Sequence, residues 1–204
     1  GTSNTTQAGM NNPQGVAFDS NNNRLFVSQN IPHRVTVYDV ASITDGENAV
    51  NVLGQTTFTG SSAAVTQAGM DNPLGLVYDT TNDKLFVTQT NASRVTVYDV
   101  ASITDGENAS DLIGQYTDLS GTTTSYTKSG ANNGPNILGF STVSSVFGIV
   151  IDFVHHRMFI ADTANNRVLV YNLNLSNQLV DKIPDNVLGQ TGFNSNTAAT
   201  TQAG

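Results

Sequence analysis

The sequence predicts an all-β protein built from three repeated units, each folding as a four-stranded antiparallel sheet. Three observations lead to this fold class. One segment recurs at an offset of 60 residues, short apolar segments recur at constant spacing within each copy, and turn-forming residues separate those segments. Several strands in each of several copies are typical of a β-propeller, in which each copy forms one blade.

The repeat is strongest between the first two copies. The segment 34–49, RVTVYDVASITDGENA, recurs unchanged at 94–109, and 29 of 50 positions are identical between 10–59 and 70–119. A third copy has diverged, but its segments GIVID, RMFIAD and RVLVYN keep the spacing of GVAFD, RLFVSQ and RVTVYD in the first copy. Because the spacing persists where the residues differ, the third copy is expected to fold as the first two do.

Each copy predicts four short strands. The first two, GVAFD and LFVSQ in the first copy, are almost continuously apolar, which is typical of strands covered on both faces. The third, RVTVYDV, alternates valine with threonine and tyrosine and predicts a half-exposed strand. The fourth, around NVLGQ, is short and ends at glycine, and NNN, TND and DG form the turns. A solenoid is the alternative, but its repeats are usually shorter and hold fewer strands.

The predicted blades are 10–69, 70–129 and 130–204, with 1–9 ending a preceding connection and a loop inserted around 116–145. Three blades do not close a ring. The first residues, SNTTQAG, resemble the last, SNTAATTQAG, so the chain starts and ends at the same phase of the repeat. We expect either half of a six-bladed ring, completed by a second copy or by further chain, or one unit of a longer array. We favour two copies that close a ring. In either interpretation, the three blades of a single chain have an uncovered apolar face at each end.

The segment ADTANNRVLVYN at 161–172 resembles the signature of NHL repeats. The opening of that motif, P-x-G-V-A-x-D, is matched by Pro13, Gly15 and Asp19 and again by Pro73, Gly75 and Asp79. VLGQ-x-x-F at 187–193 is similar to bacterial NHL-repeat proteins with long connections between blades. The first two copies depart from the pattern, with SQN and TQT in place of ADT, and the resemblance omits 116–145. It implies an NHL-type β-propeller, usually of six blades.

Composition narrows the class of protein. The net charge is −8 and only 12% of residues are charged, so no surface for nucleic acid is expected. Neutral amides and hydroxyls must therefore form most of the solvent-exposed polar surface, which favours an extracellular or cell-surface location. The absence of cysteine excludes disulfides, thiolate metal sites and cysteine nucleophiles. No run of 18 apolar residues occurs, so no membrane span is expected, and the chain opens on Gly1 without a secretory leader.

Charged residues at the same place in every copy are expected to be structural, because a binding site rarely needs all blades equally. These positions are Arg34, Arg94 and Arg167, and Asp19, Asp79 and Asp152. Each arginine is expected to bond backbone carbonyls of the neighbouring blade or an aspartate such as Asp19. The TDGEN segments at 44–48 and 104–108 offer oxygen ligands for calcium, but they lack the alternating acidic pattern of a calcium loop and predict turns.

No metal or cofactor is expected. Some NHL-fold enzymes, the peptide-amidating lyases, hold zinc with histidines, so the resemblance raises this possibility. Zinc needs imidazoles that converge from separate strands. His33 falls in one predicted turn, and the adjacent His155 and His156 fall in another turn of a different blade.

The inserted loop is the strongest candidate for ligand binding, since it is the one stretch that does not repeat. Its side chains suited to a glycan or a peptide are Tyr116, Tyr126, Lys128 and Asn132. Candidate glycosylation sites are Asn4, Asn91, Asn108 and Asn174, although asparagine, serine and threonine are frequent enough here to produce such sequons by chance.

The sequence contains no nucleophile elbow, P-loop, dinucleotide fingerprint or close carboxylate pair. The expected function is a non-enzymatic extracellular scaffold that binds copies of itself through blade faces and binds partners through loops. One alternative is a protomer of a cell-surface or extracellular filament. Another, suggested by the lyase relatives, is a lyase or hydrolase acting at the axial pocket.

Overall fold

The computed structural model describes residues 5–118, 120–130, 136–140 and 146–200. These residues form twelve β-strands and a single 3-10 turn at Thr163–Asn165. The first sheet contains β1 (Pro13–Asp19), β2 (Arg24–Gln29), β3 (Arg34–Asp39) and β4 (Asn51–Leu53). The second contains β5 (Pro73–Asp79), β6 (Lys84–Gln89), β7 (Arg94–Asp99) and β8 (Asp111–Ile113). The third contains β9 (Val146–Asp152), β10 (Arg157–Asp162), β11 (Arg167–Asn172) and β12 (Asn186–Leu188). The all-β prediction of three four-stranded units is confirmed.

Within each sheet the strands follow chain order and every neighbouring pair is antiparallel. The register is the same in all three. Phe26 lies opposite Val37 in the first sheet, and the corresponding phenylalanine and valine lie opposite each other in the second and third. The two tight turns of each sheet contain a residue with positive φ, which explains their asparagine, aspartate, serine or histidine. These residues are Asn23, Asp83 and His156 in one turn and His33, Ser93 and Asn166 in the other.

The three sheets stand side by side, with the first strands β1, β5 and β9 adjacent to one another. One core fills the space between the first two sheets, and a second core fills the space between the second and third. The first contains Phe26, Val35, Val37 and Leu53 from the first sheet against Met70, Leu76, Leu85 and Tyr98 from the second. The other contains Phe86, Val95, Val97 and Ile113 from the second sheet against Ile151, Met158, Ile160 and Tyr171 from the third. Among the described residues, only the middle sheet is therefore covered by another sheet on both faces.

The third strand is not half-exposed, so that expectation is wrong. Thr36 and Tyr38 are buried, as are their counterparts Thr96 and Tyr98. The Thr36 hydroxyl accepts a hydrogen bond from the buried Gln29 amide at 2.8 Å, which lets a polar side chain lie inside the fold. The alternation of valine with threonine and tyrosine therefore reflects two buried faces of different chemistry.

The first strand departs from expectation in the opposite sense. Its apolar sequence predicted cover on both faces, yet Val16 and Phe18 are exposed. Their counterparts in the second sheet, Leu76 and Tyr78, are buried against the first sheet. The difference arises because no described sheet lies on that side of β1.

Candidate interaction surfaces

The first sheet presents an open apolar face, here called the head face: Met10, Val16, Phe18 and Leu25. Met10 is 42% exposed, Val16 65% and Phe18 53%, whereas their counterparts Met70, Leu76 and Tyr78 are 0%, 9% and 5% exposed. The second sheet thus shows how this surface looks when another sheet covers it.

A groove of about 440 Å³ runs along the head face. Met10, Leu25, Tyr38, Val40 and Ile43 line its apolar side, and the turn 44–47 forms its rim. The counterparts of these side chains in the second sheet belong to one core cluster with Leu53 and Val37 of the first sheet. The groove is therefore lined by residues whose counterparts are covered by the apolar face of a neighbouring sheet.

The third sheet carries the opposite open face, here called the tail face: Val150, Phe159, Val168 and Leu188. Leu188 is 52% exposed, whereas its counterparts Leu53 and Ile113 are fully buried. Val150 is 55% exposed at the other end of the face. The tail face has the residue types that fill a groove like the one on the head face.

The glycine after each fourth strand also distinguishes the covered sheets from the uncovered one. All three have positive φ, which a glycine adopts without strain. A Cβ on Gly54 would lie 2.7 Å from the Met70 side chain, and one on Gly114 would lie 2.4 Å from the Phe140 ring. The described neighbours of Gly189 are backbone atoms of its own sheet, with no apolar side chain over it.

The repeated arginines are buried and hold the connections between strands. Each guanidinium donates hydrogen bonds to three backbone carbonyls, two in the segment before the first strand and one in the segment after the fourth. The acceptors are Thr6, Gly9 and Phe58 for Arg34; Thr66, Gly69 and Tyr126 for Arg94; and Asn136, Gly139 and Phe193 for Arg167. Burial lowers the pKa of Arg34 and of Arg94.

Each arginine also bonds the last residue of the preceding strand. That partner is Gln29 for Arg34 and Gln89 for Arg94, and in the third sheet it is Asp162, whose carboxylate lies 2.8 Å from Arg167 Nε. Asp19, the aspartate suggested as a partner, instead forms an ion pair with Arg24, whose Nε donates a hydrogen bond to the Asp19 carboxylate at 2.8 Å.

The repeated aspartates organise the turn between the first two strands. Asp19 accepts hydrogen bonds from the backbone N–H groups of Asn21 and Asn22. Asp79 and Asp152 accept the equivalent bonds two and three residues later. Burial raises the pKa of the Asp19 carboxyl, but hydrogen bonds from Asn22 and Arg24 outweigh it and leave that pKa lowered.

The inserted loop uses its candidate ligand-binding side chains mainly for internal contacts. Tyr116 is buried, and its hydroxyl accepts a bond from Gly114 N and donates one to the Lys182 carbonyl, both at 3.0 Å. Tyr126 is half-buried and supplies the carbonyl that Arg94 binds. Lys128 is exposed and donates to the Tyr116 carbonyl at 2.9 Å. Asn132 lies outside the described residues.

The histidines and the TDGEN turns are also engaged locally. His33 Nδ1 accepts the Asn72 N–H across the first two sheets, His155 bonds Asp152, and His156 bonds Asn177. Within 44–48 and 104–108, Glu47 and Glu107 accept the N–H of the threonine that opens the turn. No three side chains of the metal-binding types gather anywhere in the described ranges.

The sequons lie in different surroundings. Asn108 and Asn174 are exposed. Asn91 is half-buried and its amide donates to Asp71 at 3.1 Å. Asn4 is outside the described part of the chain.

Comparison with known proteins bears on the fold. Hydrazine synthase of Kuenenia stuttgartiensis superposes with a TM-score of 0.50 and 13% sequence identity, over 95% of this chain and 40% of that one. A protein from Lactobacillus plantarum has a TM-score of 0.49 and 14% identity, over 89% of this chain and 43% of that one. The chain therefore spans less than half the length of either. No family model and no curated protein matches the sequence. With the sheet geometry, the likeness to hydrazine synthase shows a β-propeller-like fold.

No helix in the described part of the chain has the length and apolar character needed to cross a bilayer.

Two features of these surfaces were not predicted from the sequence. The glutamine of each VLGQ or LIGQ segment donates its amide to the turn between the second and third strands, in all three sheets. Its recurrence in every copy was a usable signal. The turn of the second sheet also bonds the last strand of the first sheet, through Asp105 and Gly106. No signal within one copy reveals that contact, because it joins two sheets.

Proposed function

We propose that this chain is a non-enzymatic, NHL-type β-propeller scaffold that acts outside the cell or at its surface and self-associates through its end faces. The observation that carries the proposal is the exposure of Val16 and Phe18 on the head face and Leu188 on the tail face. At the corresponding positions of the second sheet the side chains are buried against a neighbouring sheet. Contiguous exposed apolar surface of this kind favours association.

The contact is head to tail. The head face and the tail face are different surfaces, so each copy offers one of each, and such a contact either closes into a ring or continues as a filament. Two copies bring six sheets together, the number usual in NHL propellers. We therefore propose a closed ring of two copies, and an open filament is the alternative assembly of the same contact.

The proposed location outside the cell or at its surface is supported by composition. Only 12% of the residues are charged, so neutral polar side chains form most of the solvent-exposed polar surface. Labelling of intact source cells with an antibody to this chain tests that location.

Analytical ultracentrifugation over a range of concentrations tests self-association. The wild-type chain is expected to sediment above the 21.5 kDa of one copy. A single species of twice that mass supports the closed ring, and a mass that keeps growing with concentration supports the filament. A folded monomer at every concentration overturns the proposal.

Substitutions on the two faces identify the surfaces used. Phe18→Asp on the head face and Leu188→Asp on the tail face are each expected to give a folded monomer, because a carboxylate in an apolar contact is costly. Leu175→Asp is the matched control: Leu175 is 89% exposed and lies in neither face. It is expected to associate as the wild type does.

A further inference from the structure

One polar contact joins the first two sheets at their outer edge. The Asp105 carboxylate of the second sheet accepts hydrogen bonds from Val52 N at 3.0 Å and from the Asn51 amide at 3.2 Å. The next residue, Gly106, donates its N–H to the Val52 carbonyl at 2.9 Å. The turn of one sheet is thereby fastened to the last strand of the sheet before it.

Both halves of this contact recur in the two outer sheets, one in the first sheet and one in the third. The turn at 44–48 in the first sheet has the same sequence, TDGEN, as the turn at 104–108. The last strand of the third sheet and its glycine and glutamine, NVLGQ at 186–190, repeat the NVLGQ at 51–55. Asp45, Gly46 and Asn186 are exposed.

The contact between the second and third sheets has different chemistry. Asp111 stands where the first sheet has Asn51, and its carboxylate accepts the N–H of Leu112 at 2.8 Å. It also pairs with Lys182 of the third sheet at 2.6 Å. An aspartate brought to this strand would meet a like charge and no free Leu112 N–H. The TDGEN turn therefore fits a strand that begins with asparagine.

We propose that Asp45 and Gly46 of one copy bind the strand Asn186–Leu188 of a second copy, as Asp105 and Gly106 bind Asn51–Leu53. The Asp45 carboxylate accepts bonds from Val187 N and the Asn186 amide, and Gly46 N donates to the Val187 carbonyl. Met10 then lies over Gly189, as Met70 lies over Gly54. This contact rests on the proposed self-association and specifies its partner, orientation and register.

A charge exchange tests the contact. Asn186→Asp places a carboxylate opposite Asp45, and Asp45→Lys removes the acceptor, so each is expected to weaken association about tenfold or more. The double variant Asp45→Lys with Asn186→Asp recreates the pairing seen between Lys182 and Asp111 and is expected to associate more tightly than Asn186→Asp alone. Asn174→Asp, the same charge change at an exposed asparagine of the third sheet, is the control and is expected to leave the dissociation constant unchanged.

The outcomes separate the contact from the proposed function. Wild-type chain that never associates overturns the proposed function. Wild-type chain that associates, with Asn186→Asp and Asp45→Lys equally tight, overturns the contact alone. A double variant no tighter than Asn186→Asp also overturns it. Asn186 and Asp45 are exposed, so both variants are expected to fold, and circular dichroism of each checks this.

Discussion

At the residue scale, stability depends on buried polar side chains that hydrogen-bond backbone groups. Arg94 is fully buried and donates to the carbonyls of Thr66, Gly69 and Tyr126. Those carbonyls belong to connecting segments outside the twelve strands. The guanidinium supplies hydrogen-bond donors to them, so one residue type recurs in all three sheets.

Replacement of this arginine is expected to be costly. Arg94→Met leaves three carbonyls without their donor and should reduce the free energy of unfolding by about 3 kcal/mol. Urea denaturation measures the loss. Arg157→Met is the control, since Arg157 is exposed, and it should change stability by less than about 0.5 kcal/mol. Equal effects of the two substitutions would contradict the role assigned to the buried arginine.

Glu107 predicts a dependence of stability on pH. Burial raises the pKa of its carboxyl, and one of its oxygens is buried with no partner among the described residues. The folded state therefore disfavours the charged form, a cost present above the folded-state pKa and relieved as the pH falls through it. Glu107→Gln should stabilise the protein at neutral pH, and the gain should shrink as the pH falls toward 4.5, the ordinary pKa of the carboxyl.

The control for this prediction is Glu47→Gln in the identical turn of the first sheet, which lies on the rim of the open groove. Urea denaturation between neutral and acidic pH, at concentrations where the chain is monomeric, should show little effect of that change. A Glu107→Gln protein that is no more stable than wild type at neutral pH would contradict the prediction.

At the element scale, most strands were predictable and their surroundings were not. The spacing of GVAFD, RLFVSQ and RVTVYD places the first three strands of every sheet, because apolar runs between turn residues report strands directly. Which faces are covered depends on neighbouring sheets, so Val16 and Phe18 could not be distinguished from Leu76 and Tyr78.

The candidate ligand-binding residues show a second limit of what the sequence alone predicts. Tyr126 takes the place of Phe58 and Phe193, since all three supply the carbonyl that the repeated arginine binds. The inserted residues between Tyr116 and Tyr126 concealed this equivalence in the sequence. Spacing alone therefore assigned Tyr126 to the non-repeated loop, although its backbone belongs to the repeat.

The glycine after the last strand gives a prediction at this scale. Gly114→Ala combines positive φ with a Cβ 2.4 Å from the Phe140 ring, and should destabilise the fold by about 2 kcal/mol or more. Gly189→Ala has a similar φ but no apolar side chain over it in a single copy, and should cost about 1 kcal/mol. Thermal unfolding of dilute protein compares the two. A larger loss for Gly189→Ala would contradict the packing described for the second sheet.

At the scale of the whole molecule, the three described sheets create two buried contacts, and no described residue covers the outer face of the first or the third sheet. The two buried contacts show how a neighbouring sheet covers each kind of face. The second sheet is covered by the first sheet on one face and by the third sheet on the other. In the proposed assembly, the partner that supplies the missing tail face to a head face is a second copy of the same chain. Self-association would then bury the apolar residues that a single copy exposes.

Concentration should therefore affect stability. An association that binds only folded chains raises the apparent free energy of unfolding as the protein concentration rises. The midpoint of thermal unfolding should increase with concentration for wild-type chain and stay constant for Phe18→Asp. A midpoint independent of concentration for both chains would contradict the predicted linkage.

The most direct measurement of the central claim mixes two chains that are blocked at opposite ends. One carries Val16→Asp and Phe18→Asp on the head face, and the other carries Val150→Asp and Leu188→Asp on the tail face. Each chain alone is expected to remain a monomer, and the mixture is expected to form a one-to-one complex, because one intact head face and one intact tail face remain. Native mass spectrometry reads the result. Two folded chains that stay monomeric in the mixture, although wild-type chain associates, would contradict head-to-tail pairing, as would either blocked chain associating with itself.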